Sequence, residues 1–128
     1  MGLNMILCDT NILIDLFKNK AKTIQDLEKI GFENIVLSSI TVMELIQGVG
    51  NKNELNKLMK QIQYFDVAHF NYEISQMTVE YISKFRLSHN LQIPDAIIAA
   101  TSNYYNLKLF TYNLKDFIFI PQINLYNA

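Results

Sequence analysis

The chain has 128 residues and a formal net charge of −1, from 11 Lys and Arg against 12 Asp and Glu. Hydrophobic residues make up 50% and charged residues 18%, which predicts one packed domain over residues 1–128 and excludes disorder. Near-neutral charge with Arg86 as the only arginine excludes strong nucleic-acid binding by bulk charge, and a single Cys excludes an intrachain disulfide and a Cys-based zinc site.

Met1 to Met5 carries no basic region ahead of a long apolar core, so no secretory signal is expected. Ile6 stands where myristoylation of Gly2 would want Ser or Thr. Met5 to Cys8 is a short apolar run that predicts a strand, and Asp9-Thr10-Asn11 behind it are good helix starters. Ile12 to Phe17 reads as a short helix. Lys22 to Ile30 reads as a second, with Ile24, Leu27 and Ile30 on one stripe and Gly31 as a left-handed cap. Ile35-Val36-Leu37 predicts a buried strand, after which Ser38-Ser39 caps a helix from Ile40 to about Gly48. Asn51 to Gln63 is helical, with Leu55, Leu58, Met59 and Ile62 on one face, and Phe65 to Val67 is a short strand. A long helix starts at Asn71, with Ile74, Met77, Tyr81, Ile82 and Phe85 at three- and four-residue spacing.

Pro94 sits where the first turn of a helix would begin, and the helix runs from Asp95 to about Tyr105. Leu107 to Phe110 is a strand, and a last strand is expected within Ile118 to Leu125. No apolar stretch approaches the ~20 residues of a membrane span, and the lone Cys fits a reducing, cytoplasmic setting. Strands alternating with helices imply an α/β fold, a parallel sheet with helices on both faces. Ligands bind such sheets beyond the carboxyl ends of the strands.

Four acids fall near those ends. Asp9 follows the first strand, where its bland role is a helix cap worth about 1 kcal/mol. Glu44 interrupts the apolar helix Ile40–Ile46, and its helical neighbours Ile40, Thr41, Gln47 and Gly48 are smaller and more polar than the Val42/Leu45/Ile46/Val49 stripe. It therefore faces a polar cleft rather than the core. Asp95 opens a helix whose small residues Ala99 and Ser102 allow close approach to the sheet; dipole compensation is its alternative role. Asp116 lies just beyond the fourth strand, where a turn acid is the simplest reading. Each has an ordinary explanation; all four on one rim do not, because clustered carboxylates repel and cannot all ionise without a partner. A divalent cation removes the conflict, and oxygen ligands suit Mg²⁺ or Mn²⁺ better than Zn²⁺. His69 and His89 lack metal-ligand spacing and read as surface residues.

Cys8-Asp9-Thr10-Asn11, Ser39 to Leu45, Pro94 to Ala100 and Thr111 to Phe117 together resemble the PIN-domain ribonucleases. Within them the chain is most similar to the VapC-type toxins of bacterial and archaeal toxin–antitoxin pairs. The resemblance covers almost the whole chain in the right order. It implies a three-layer α/β/α sandwich with a central parallel sheet, and a Mg²⁺- or Mn²⁺-dependent endoribonuclease leaving 5′-phosphate and 3′-hydroxyl ends. It carries the first acid onto Asp9, the second onto Glu44 and the third onto Asp95. Many members have their fourth acid where this chain has Asn113; Asp116, three residues on, is assigned that role, with Asn113 as a neutral contributor. Thr10, Asn11 and Thr111 match positions that support the site by hydrogen bonding. Asp9 and Asp95 are expected to hold the main metal, and Glu44 and Asp116 to orient water, act as base or complete a second metal site. The implied partners are RNA, a small antitoxin whose C-terminal segment covers the acidic groove, and a second copy in a homodimer.

Lys52, Lys57, Lys60, Lys108 and Lys115 are available for phosphates, although solubility explains most of them. Tyr112 reads as a packed aromatic rather than a base-stacking platform. A haloacid-dehalogenase-type phosphatase would need an Asp at the position of Asn11, and a receiver domain an acidic pair at the first strand, so both are rejected. The remaining alternative is a catalytically weak PIN scaffold that binds RNA or protein.

Overall fold

The computed structural model describes residues 4–128; Met1 and Gly2, on which the myristoylation reading rests, lie outside them. Four short strands, β1 (Ile6–Cys8), β2 (Ile35–Ser38), β3 (Asp66–Ala68) and β4 (Lys108–Phe110), form one parallel sheet in the order β3-β2-β1-β4. Leu7 on central β1 pairs with Val36 on one side and Leu109 on the other. The helices are α1 (Thr10–Phe17), α2 (Ala21–Ile30), α3 (Ser39–Gln47), α4 (Lys52–Ile62), α5 (Tyr72–His89) and α6 (Ile93–Tyr105).

Strand side chains alternate between faces, and here every face is apolar. Leu7, Val36 and Leu109 point into one core with Ile74 and Tyr81 of α5 and Ala96, Ile98, Ala99 and Ala100 of α6. Ile6, Cys8, Ile35, Leu37 and Phe110 point into a second core with Ile12, Leu13, Leu27, Leu45, Leu58 and Ile62. The second set comes from α1 to α4, so the molecule is the expected three-layer α/β/α sandwich. Each fully buried Leu, Ile or Phe contributes about 1.5–3 kcal/mol. No described helix is long and apolar enough to cross a membrane.

Polar residues set the helix starts. Ser38 accepts from the Ile40 N–H at 3.2 Å, Asn51 from Glu54 at 2.9 Å and Asn71 from Ile74 at 2.8 Å. Each satisfies a first-turn donor that the helix leaves unpaired. Gly31 ends α2 with φ at +90°, a conformation that L side chains rarely adopt. Helix α6 begins at Ile93, with Pro94 in its first turn, and ends at Asn106 in the left-handed conformation.

The segment 118–125 is not the strand expected there. Phe117 and Ile120 are both buried, and a spacing of three belongs to a turn rather than to an alternating strand. Pro121 has no N–H for a ladder, and Gln122 takes a positive φ of 65°. What remains of the pairing is a single bridge: Leu109 N–H donates to Asn124 O, and Tyr126 N–H to Leu109 O, each at 2.8 Å.

Candidate active site

The chain runs from β1 outward to β2 and β3, then returns to β4 on the other side of β1. The carboxyl ends of β1 and β4 therefore flank the point where the winding reverses, where doubly wound sheets open a crevice. Asp9 follows β1 and Thr111 follows β4. Their backbones are joined by a 2.9 Å hydrogen bond from Asp9 N–H to Phe110 O, and Thr111 Oγ1 donates to Asp9 Oδ2 at 2.9 Å.

Asp9 is only 4% exposed, yet both its oxygens are bonded, since Thr10 N–H donates to Oδ1 at 2.8 Å. The helix-cap reading of Asp9 is thus true of one oxygen, while the other accepts from Thr111. Burial raises the Asp9 pKa; the Thr111 and Thr10 hydrogen bonds pull it back, and Glu44 and Asp116 push it up again.

Glu44 reaches the same rim from α3. Thr10 Oγ1 donates to Glu44 Oε1 at 2.8 Å, and the Thr10 and Thr41 hydroxyls lie 2.9 Å apart. Thr10 thus touches both Asp9 and Glu44, while the groove beyond Glu44 is walled by Ile14, Phe17, Leu45, Val49 and Leu58 among others. Thr41, in sequence a small neighbour of Glu44, joins this hydrogen-bonded group through Thr10. Its signal was its place three residues before Glu44, one turn earlier on the same helix face.

Asp95 enters from the first turn of α6. It is partly buried, and its pKa is pushed up to about 7 by burial first, then by the charges of Asp9, Asp116 and Glu44. Burial is the larger cause, and the charges of the other three acids add to it. Asp116 closes the rim from a short 3-10 turn, Leu114–Asp116, where its N–H donates to Asn113 O at 3.0 Å. Asn113 N–H donates to Thr111 Oγ1 at 3.0 Å, so Thr111 serves Asp9 and the following loop at once. Asn11 is exposed on α1 and, among the described residues, makes no hydrogen bond to the acids.

Among the described residues no three His, Cys, Asp or Glu side chains form a ready-made cage for an ion. The donor chemistry still fits a cation. Asp9 and Asp95 have raised pKa values, through burial first and the charges of the other acids second, and among the described residues no lysine is hydrogen-bonded to any of the four. Carboxylate oxygens of this kind would suit a hard divalent ion. Cys8, beside Asp9, is fully buried and its thiol pKa is raised by that burial, so it is an unreactive core side chain.

An open groove of about 620 Å³ runs from Glu44 between α1, α3 and α4, with Ile14, Phe17, Lys18 and Lys57 in its walls. Of the lysines considered for phosphate contact, Lys57 lines this groove and Lys115 lies in the turn beside Asp116. Lys108 is at the opposite end of the sheet, paired with Ile6 at the start of β1. His69 and His89 are exposed; the His89 ring stacks on Phe119 with centroids 4.1 Å apart.

Among solved structures, the chain is similar to a toxin–antitoxin complex from Klebsiella pneumoniae, at 33% identity over 96% of this chain and 99% of that one, with a TM-score of 0.77. It is also similar to VapBC-1 from nontypeable Haemophilus influenzae, at 25% identity over 96% and 97% of the two chains and a TM-score of 0.80. A DNA-bound VapBC from Salmonella typhimurium, at 24% identity over 95% and 96% with a TM-score of 0.79, shares the fold. Among curated proteins no significant match is found. The family described as PIN domain matches residues 6–119, which span all four strands, all six helices and the four acids, and the chain belongs to that family.

Proposed function

We propose that this chain is a Mg²⁺- or Mn²⁺-dependent endoribonuclease acting as the toxin of a toxin–antitoxin pair. The observation that carries the reading is that Thr10 bonds both Asp9 and Glu44 and Thr111 bonds Asp9, while the charges of Asp9, Asp116 and Glu44 add to the burial that pushes Asp95 up to about 7. Asp9 and Asp95 would hold the ion. When bound, it lowers the pKa of a water and polarises a phosphoryl oxygen. Thr10 N–H and Thr111 Oγ1 fix the plane of the Asp9 carboxylate. Thr10 holds one oxygen of Glu44, and the other is the one to orient a water or accept its proton. Asp116 supplies the fourth negative charge and, with Asn113 beside it, borders the substrate path. Lys57 and Lys115 offer phosphate contacts where an acidic rim would otherwise repel RNA.

The toxin role draws support from the Klebsiella relative, whose structure is a toxin–antitoxin complex. A small antitoxin protein is accordingly the proposed partner. A homodimer in the cytoplasm completes the reading; Tyr72, Val79 and Leu87 are exposed on α5 and available to such an interface. The test is cleavage of labelled total RNA by antitoxin-free protein in Mg²⁺, Mn²⁺ or EDTA, beside Asp9→Asn. Discrete products that need both metal and Asp9 are expected. Absence of cleavage with either metal, or cleavage that survives Asp9→Asn, would overturn the proposal, and the first outcome would favour a binding scaffold.

A further inference from the structure

Asp26 of α2 is a buried carboxylate with no part in the acidic rim. It is 6% exposed, and it accepts from Lys22 Nζ at 2.9 Å and from the Tyr112 hydroxyl at 2.6 Å. The Tyr112 bond is the chief reason that Asp26 is held below the usual carboxylate range. Lys22 is largely exposed, and a screened pair of that kind adds little stability. An apolar residue would fill the same volume without desolvating a charge, so stability alone is a poor reason for an acid there.

Tyr112 stands between Thr111 and Asn113. Successive side chains of extended backbone point in opposite directions. Thr111 turns to Asp9, and Tyr112 turns to α2, 86 positions away in sequence from its acceptor. The Tyr112 ring is 39% exposed; it meets Phe110 edge-on and carries Lys22 Nζ 5.0 Å from its centroid. Its hydroxyl also lies 3.4 Å from Thr23 Oγ1. The loop from Thr111 to Asp116 is thus held on one flank by Asp9 and on the other by Asp26, with Asp116 at its far end.

We propose that the Tyr112–Asp26 hydrogen bond is a brace that positions the Thr111–Asp116 loop, making Tyr112 and Asp26 positioning residues for the acidic site. The inference rests on the metal-dependent site proposed above. Losing the brace lets the loop drift, so Thr111 and Asp116 no longer hold their places around Asp9. The effect is a weaker site for the ion, as when an outer-shell partner of a ligand is removed.

Tyr112→Phe removes the hydroxyl and keeps the ring packing. Mn²⁺ binding is measured by calorimetry, and RNA cleavage is followed across a Mn²⁺ titration. The variant is expected to need about tenfold more Mn²⁺ in both assays, the low end for loss of an outer-shell partner, with cleavage approaching the parent rate at saturating metal. Asp26→Ala should reproduce the shift, the double variant should add nothing to it, and Asp26→Asn, which keeps an oxygen acceptor, should recover much of it. A Tyr112→Phe protein that melts earlier but keeps the parent Mn²⁺ dependence overturns the brace and leaves a merely structural contact. A parent protein that neither binds Mn²⁺ nor cleaves RNA overturns the proposed function first, and the brace with it.

Discussion

Asp95→Asn should make the metal-free protein more stable while disabling its site. Asp95 is partly buried among three other acids, and its carboxyl is pushed from the ordinary 3.8 to about 7. A displacement of that size corresponds to about 4 kcal/mol between the two protonation states. Asp95 retains contact with water, and screening leaves roughly a third to a half of that, about 1–2 kcal/mol. For a chain of 128 residues each kcal/mol moves Tm by about 4 °C. The neutral amide should therefore raise Tm by roughly 4–8 °C at pH 8 in EDTA.

The sign follows from where the proton sits. The raised native pKa means that the folded chain holds a proton between about 4 and about 7 that the unfolded chain has lost. That stabilisation is complete below the unfolded pKa and is lost as pH rises through the native one. At pH 5 the folded parent is protonated at Asp95 and only about a third of that stabilisation has been lost, so Asp95→Asn should gain clearly less there than at pH 8. At pH 8, millimolar Mn²⁺ should stabilise the parent by mass action and the variant far less. Thermal melts at both pH values, with EDTA and with Mn²⁺, read all of this. A Tm that falls or stays level at pH 8 in EDTA, or rises equally at pH 5, would refute the argument that Asp95 is held in a repulsive cluster.

The same electrostatics gives further expectations. RNA cleavage at subsaturating Mn²⁺ should climb from pH 5.5 to about 7 and level off above, because Asp95 must lose its proton to bind the ion; a flat profile would detach Asp95 from metal binding. Asp9→Asn should lower cleavage by about a hundredfold or more, read as initial rates on a labelled RNA, with parent-like circular dichroism. Thr111→Val removes a donor to Asp9 and the acceptor for Asn113 N–H. With a part-buried donor and a buried carboxylate left short of a partner, it should cost about 1–3 kcal/mol, measured by urea titration. Thr41→Val should loosen Glu44 by removing the hydroxyl beside Thr10. Its expected cost is a severalfold loss of rate with Mn²⁺ binding nearly unchanged, and an unchanged rate would remove Thr41 from the site.

The layer order was readable from the sequence because each strand is a short apolar run and each helix carries a period of three to four. The burial of both strand faces, Leu7 to one core and Ile6 and Cys8 to the other, is what makes those runs continuous rather than alternating. The last strand failed on the same logic. Phe117 to Ile120 is also a continuous apolar run, but its buried residues are three apart and Pro121 stops any ladder. Composition alone does not distinguish a plugged turn from a buried strand.

At the site, the acids were legible because a charge in an apolar setting asks for a reason. Glu44 in an apolar helix and Asp95 behind Pro94 stand out against their surroundings. Thr41 did not, since a buried hydroxyl is common in helices and only the approach of α1 gives it a partner. Asp26 was hidden for a related reason. At its place in α2 it looks like one more surface acid with a lysine four residues earlier, the ordinary spacing of a solvated pair. Its burial depends on Tyr112, which the chain brings in from the far end of β4. A residue whose role is created by a contact across 86 positions leaves no local pattern. The acids that carry charge to the rim therefore announce themselves in the sequence, and the groups that hold those acids in place emerge only from the fold.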